Sequence, residues 1–319
     1  QSLPPYLIFS WINAHINTLA YYIFTGDKMD QIPNQNQQKK NPLSSFYRQP
    51  KIYVKLPSKG EFYPPGSLDV SANGEYPVYA MTAKDEIASK TPDALLNGQS
   101  TVDIIQSCIP NIKNAWYMPS IDVDAVLIAI RIATYGEQLD VDVTIPNTSI
   151  KKTYTTDLRI ALEKLLNSVF DPVIDIDESI TIHISPINYM TYTKNAIKSL
   201  EEQRIFSLID NEKMSDEEKL DMFNKSFRKI TDITINVITQ SITKISTPDG
   251  DVTDRTFIDE FIENAEKSTF KKITSHLESQ KKNFEIAPFK VMTTEEDQAE
   301  GAPKEFEAPI TLDAAHFFD

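Results

Sequence analysis

Two periodicities run through this chain, alternation at every second residue and apolar stripes at every third or fourth, and they predict its strands and helices. Leu139–Ile145 alternates without a break: Leu139, Val141, Val143 and Ile145 share one face, while Asp140, Asp142 and Thr144 share the other. Lys151–Thr155 follows at hairpin distance as a partner strand, and Ile180–Ile184 alternates likewise with Thr181 and His183 outward. Lys51–Leu56 and Tyr76–Met81 predict two more short extended segments, with the proline- and glycine-rich loop Pro57–Gly66 after the first. Ser241–Thr247 is β-like, Asp249-Gly250 is a turn signal, and Val252 begins the return.

Helical spacing takes over between these segments. Thr82 with Asp85 resembles a capping box, and Thr91-Pro92-Asp93 reads as an N-cap before a proline in the first turn, in a short helix that Gly98 stops. Ser100 or Thr101 caps the next helix, with Val102, Ile105 and Ile109 on one face. Asp122 starts Val123–Tyr135, closed by Gly136; its apolar residues nearly circle the axis, which predicts a buried central helix. Leu158–Phe170, Ala196–Ile209, Asp216 to about Val237 and Phe257–Ala265 follow, with Phe270–Leu277 continuing the last. Ser215 with Glu218 forms a capping box, and Asp254 caps Phe257–Ala265.

The expected architecture is therefore α+β and mainly helical, with a small antiparallel β segment between helical regions. The expected division is residues 1–50, an extension and polar tail; 51–138, an N-terminal α+β block; 139–190, a β-containing segment with one helix; 191–292, a helical region; and 293–319, an acidic linker with an apolar tail. Within the first, Tyr6–Phe24 nears the length of a membrane span, but Asn13, His15 and Asn17 interrupt it. Met29 before a polar stretch reads as a start, making residues 1–28 non-native; a membrane anchor and a packed helix stay open.

Composition narrows the function. The 319 residues carry 32 basic and 46 acidic side chains, a net charge of −14. That balance argues against a nucleic-acid binder and against a protein held on anionic lipid by charge. Neither GxxxxGK[ST] nor GxGxxG occurs, so no glycine-built phosphate cradle is expected. One cysteine, Cys108, leaves no disulfide framework and no multi-cysteine zinc site within a chain.

Candidate chemistry is thin. Asp140 and Asp142 on one strand face suit acid–base work, or simply the solvated face of a strand. Asp171, Asp175, Asp177 and Glu178 are dense enough for a divalent cation but match no EF-hand spacing, and a metal-assisted hydrolase built on them is the remotest reading. His15, His183, His276 and His316 form no HExxH pair, Cys108 reads as a core thiol, and no serine sits in GxSxG. No catalytic, cofactor or metal site is expected. Interaction residues are the better candidates. Phe62 and Tyr63 form a proline-flanked apolar prong or fold back as core, and Trp116, Tyr117 and Met118 are types enriched at interfaces. Phe317 and Phe318 end an apolar tail that docks on its own domain or on another subunit.

Lys55–Leu68 (KLPSKGEFYPPGSL), Tyr76–Gly136, with KTPDALLNG, PNIKNAW and DAVLIAIR inside it, and Phe306–Asp319 (FEAPITLDAAHFFD) resemble the baseplate hub subunit family of T4-like contractile-tailed bacteriophages. The resemblance implies a structural or assembly role in a tail baseplate hub, in the virion and assembled in the host cytoplasm. It implies other hub and tail proteins as partners, no catalysis and no cofactor; nucleic acid and membrane are not expected, and a homo-oligomer is compatible. A non-structural chaperone of hub assembly, absent from the mature virion, is the alternative. Some relatives are expected to carry CxxC pairs after the strand matching Leu139–Ile145 and before the terminal Phe-rich segment. Here Ile145–Ile150 and Met292–Lys304 hold no cysteine, so zinc is not expected.

Overall fold

The computed structural model divides into two compact units, residues 1–47 and 48–319, and describes residues 41–90, 98–209 and 215–310. The readings of residues 1–28, of Thr91-Pro92-Asp93 and of Phe317 and Phe318 lie outside the described residues. In the first unit Pro42–Phe46 forms a 3-10 turn, and the Asn41 amide donates to the Tyr47 hydroxyl at 2.8 Å.

In the second unit, the expectation of a mainly helical chain with one small β segment is corrected. Among the described residues, ten strands form four separate antiparallel sheets beside the helices, a mixed α and β architecture. β1 (Pro50–Val54) pairs with β2 (Tyr76–Tyr79), and β3 (Gln138–Thr144) pairs with β4 (Lys151–Asp157) in the expected hairpin. β5 (Val173–Asp175), β6 (Thr181–Ile184), β7 (Ile242–Thr247) and β8 (Gly250–Val252) form one sheet in that order. β9 (Phe289–Met292) pairs with β10 (Glu305–Ala308). β5, β9 and β10 span only three or four residues and carry no hairpin signal of their own, so no strand is read there from sequence.

The helices are α1 (Ala83–Ser89), α2 (Gln99–Cys108), α3 (Ser120–Tyr135), α4 (Leu158–Asn167), α5 (Tyr189–Ile209), α6 (Asp216–Ser241), α7 (Arg255–Glu263), α8 (Lys267–Asn283) and α9 (Glu295–Ala299). One core gathers Val54, Tyr76 and Val78 from the first sheet, Ile104 and Ile105 from α2, Val126 to Ile130 from α3, and Leu158 and Leu165 from α4. α3 is the buried helix its apolar circumference predicts. A second core joins Ile182 and Ile184 of β6 and Ile242 and Ile245 of β7 to Ile258 and Ile262 of α7 and Ile273 of α8.

Several local expectations change. Gly98 does not simply stop a helix: it is the N-cap of α2 at φ +78°, where a side chain would press within 3.1 Å of Thr193. Ser100 gives up capping because its hydroxyl donates to the Ala88 carbonyl at 2.7 Å. α3 starts at Ser120 rather than at Asp122, whose carboxylate is taken by a distant loop. The acidic stretch read as a linker is folded: Thr294 and Asp297 form a capping box for α9, and Lys152 of β4 donates to Asp297 at 2.7 Å. Tyr154 meets Phe306 edge to face across the same contact. The end of the supposed tail is also structured. Arg48 donates to the Ala80 carbonyl and to Ser107, and it lies over the Tyr79 ring.

Candidate interaction groove

The loop Pro57–Gly66 is built on one buried carboxylate. Asp122 Oδ1 accepts from the Ser58 amide at 2.7 Å, and Oδ2 accepts from the Ser58 hydroxyl at 2.5 Å and from the Tyr63 hydroxyl at 3.0 Å. The Lys59 amide closes a turn onto the Leu56 carbonyl at 2.8 Å. Between these anchors the backbone is forced into the left-handed region at Lys59, Gly60 and Phe62, with φ of 57°, 84° and 66°. Such a conformation costs an aromatic residue on the order of 1–3 kcal/mol and persists only where its surroundings over-determine it. Here the Asp122 clamp on either side supplies that constraint.

Burial sets the electrostatics. It pushes the Asp122 carboxyl up to about 6, even though the three hydrogen bonds pull the other way. Burial, and then the Asp122 charge, raise the Tyr63 phenol above its usual range. Asp124, two residues further along the same helix, is also pushed up to about 6 by burial and then by Glu285.

The Phe62 ring remains 39% exposed, with its edge on Phe170 at 5.6 Å. Opposite lies the 3-10 turn Ala115–Tyr117, capped by Asn114 accepting from the Trp116 amide at 3.1 Å. That turn sends its three ring and thioether residues different ways. Met118 is fully buried, and its carbonyl accepts from the Tyr189 amide at 2.8 Å. Trp116 is half-buried and stacks on the Tyr189 ring at 5.8 Å. Tyr117 points outward, 39% exposed. Tyr63 packs against the first core.

Phe62 and Tyr117 thereby meet across an open groove of about 290 Å³. Its lining also includes Pro64, Pro186, Ile187, Asn188 and Gln240. The strap 185–188 is held there by the Ser120 amide donating to the Ile187 carbonyl at 2.8 Å. Among the described residues no charged side chain lines the groove. It offers apolar surface, proline and aromatic faces, and amide and hydroxyl groups, which suits a protein side chain or loop. The pairing of Phe62 with Tyr117 was within reach of residue type. The strap and Gln240 were not, since nothing local in their sequence marks them.

The other candidate residues are engaged elsewhere. Asp140 and Asp142 accept from the Thr155 and Thr153 hydroxyls across the β3–β4 pair. Asp171 and Asp177 accept from nearby backbone amides, and Asp175 accepts from the Thr181 hydroxyl. His183 meets Ser246, and His276 meets the Asp171 carbonyl. Cys108 is fully buried, and burial pushes its thiol up to about 12. Among the described residues no group of three or more His, Cys, Asp and Glu is placed to hold a metal ion. No described helix is long and apolar enough to cross a membrane.

A family model described as T4 bacteriophage base plate protein matches residues 49–298. No curated protein and no solved structure matches the chain.

Proposed function

The chain belongs to the T4 bacteriophage base plate protein family, and from that premise we propose that it is a structural or assembly component of the baseplate hub. It acts in the virion tail through contacts with other hub and tail proteins, without catalysis. The observation that carries the reading is the groove between Phe62 and Tyr117. A left-handed backbone at an aromatic residue is strain, and strain held at a half-exposed ring favours a prearranged contact over a packing accident. A partner ring or proline entering between Phe62, Tyr117 and Pro186 would bury them without moving the loop. The absence of charge along the lining favours a partner selected by shape over one gathered by long-range attraction.

The test is quantitative mass spectrometry of purified virions of the parent phage, with infected-cell lysate alongside, for the native chain and for Phe62→Ala/Tyr117→Ala. Stoichiometric peptides in the particle, lost in the double variant while its thermal unfolding is unchanged, are the expected result. Abundance in lysate with absence from particles replaces the structural role with that of an assembly chaperone. Normal incorporation and normal tails with the double variant overturn the groove as the contact.

A further inference from the structure

The loop that leads into β2 carries an asparagine followed by a glycine. Asn73 and Gly74 close the turn 71–74, in which the Gly74 amide donates to the Ser71 carbonyl at 3.1 Å. Both residues are exposed, and at Gly74, with φ of 71°, the place of a side chain is empty to beyond 4 Å. The Asn73 side chain folds back on this turn. Its Oδ1 accepts from the Ser71 hydroxyl at 2.6 Å and from the Glu75 amide at 3.1 Å, and its Nδ2 donates to Glu75 Oε2 at 3.5 Å. The bond from Oδ1 to the Glu75 amide closes an Asx ring, and that ring contains every atom of a cyclic imide between Asn73 and Gly74.

We propose that Asn73 is a self-modifying site, converted through that imide to isoaspartate and aspartate. As the bond from Gly74 N to Asn73 Cγ forms, the Gly74 N–H loses its proton to solvent base and the carbonyl electron pair moves onto Oδ1. The Ser71 hydroxyl and the Glu75 amide are already aimed at that oxygen, and their bonds strengthen as its charge develops. Collapse then breaks the bond from Cγ to Nδ2, and the nitrogen leaves as ammonia with a proton from water. Water opens the imide at either carbonyl, giving isoaspartate or aspartate, so the net change is one water consumed and one ammonia released, with no oxidant or reductant. Glycine suits this closure because a side chain at position 74 would crowd the attacking nitrogen. The turn bond from Gly74 to Ser71 opens first, by exchange with the water that bathes both exposed residues. Isoaspartate lengthens the backbone and sets a new negative charge beside Glu75, just before Tyr76, which is buried in the first core and pairs with Val54. The reaction does not depend on the groove.

The test ages the full chain in mildly alkaline buffer at physiological temperature and follows its tryptic peptides by mass spectrometry, with electron-transfer fragmentation to tell isoaspartate from aspartate. Asn73 is the sole asparagine of peptide 60–84, and the other Asn-Gly pair, Asn97-Gly98, falls in peptide 91–113. Conversion within peptide 60–84, with isoaspartate among the products, is expected. Ser71→Ala should slow it about three- to tenfold in the folded chain, the net worth of one hydrogen bond in water. Its thermal melt should match the native one, and in urea, where the hydroxyl makes no such bond, the two rates should be equal. An Asn73 that stays unconverted, a Ser71→Ala rate equal to the native rate in the folded chain, or the same slowing in urea overturns the proposal.

Discussion

At the scale of single residues, Asp122 joins stability to the shape of the groove. Three donors converge on it, yet it is fully buried with no cation beside it among the described residues, and burial pushes its pKa up to about 6 from the ordinary 3.8. A raised carboxyl pKa means that the folded chain takes up the proton before the unfolded chain does. Its stabilising share is complete below pH 3.8 and is lost as pH rises through 6. The loss for this one group is on the order of 3 kcal/mol by pH 8. Asp124 has the same sign. Asp157, Glu202, Glu218, Asp251 and Asp297 have the opposite sign, each held low chiefly by hydrogen bonds, and their share is lost in acid. Stability should therefore peak between about pH 4 and about pH 5 and fall to a plateau by about pH 7. Asp122→Asn keeps an acceptor for the Ser58 amide and should flatten the fall between about pH 5 and about pH 8. Urea unfolding across that range measures it, and a native profile that rises toward pH 8 would refute the assignment.

Among elements, the sequence disclosed what is settled within one turn. The capping boxes Thr82–Asp85 and Ser215–Glu218 and the Asp254 cap are present as read, because donor and acceptor lie two or three residues apart. The β3–β4 hairpin is also as read, since seven alternating residues suffice to print a period. Asp122 was misread as a helix start because its partners Ser58 and Tyr63 lie 64 and 59 residues away. The connection between β9 and β10, residues 293–304, was misread as linker for a related reason. Its acidic composition suggests solvent, but Asp297 caps α9 with Thr294 and at the same time accepts from Lys152, 145 residues away. That double duty makes the hairpin's order depend on one side chain. Asp297→Ala should leave the remaining fold intact and open the segment 293–304 to protease. Limited proteolysis followed by peptide mapping reads this directly, and a cleavage pattern identical to the native one would show that the β9–β10 hydrogen bonds alone hold the hairpin.

For the whole molecule, the two buried clusters share no residue, and each contains its own sheet. The candidate groove draws on this layout. Phe62 and Tyr117 arrive from loops fixed to the first core, and Gln240 from the last turn of a helix whose Ile238 enters the second. That is why two of its aromatic members were legible from residue type and their surroundings were not: only tertiary packing brings position 240 beside position 62. Separate cores also predict separable loosening. Ile105 and Ile182 are both fully buried, one in each cluster. Truncating either to alanine removes several methylene contacts and costs about 3 kcal/mol. Hydrogen exchange with Ile105→Ala should rise across Gln99–Cys108 and Ser120–Tyr135, while Thr181–Ile184 and Ile242–Thr247 keep their protection. Ile182→Ala should give the reverse. A groove walled from both cores would then respond to either variant, through Phe62 in the first case and Gln240 in the second. Equal acceleration of both regions by either variant would instead mean that residues 48–319 open as one cooperative unit, with groove and cores lost together.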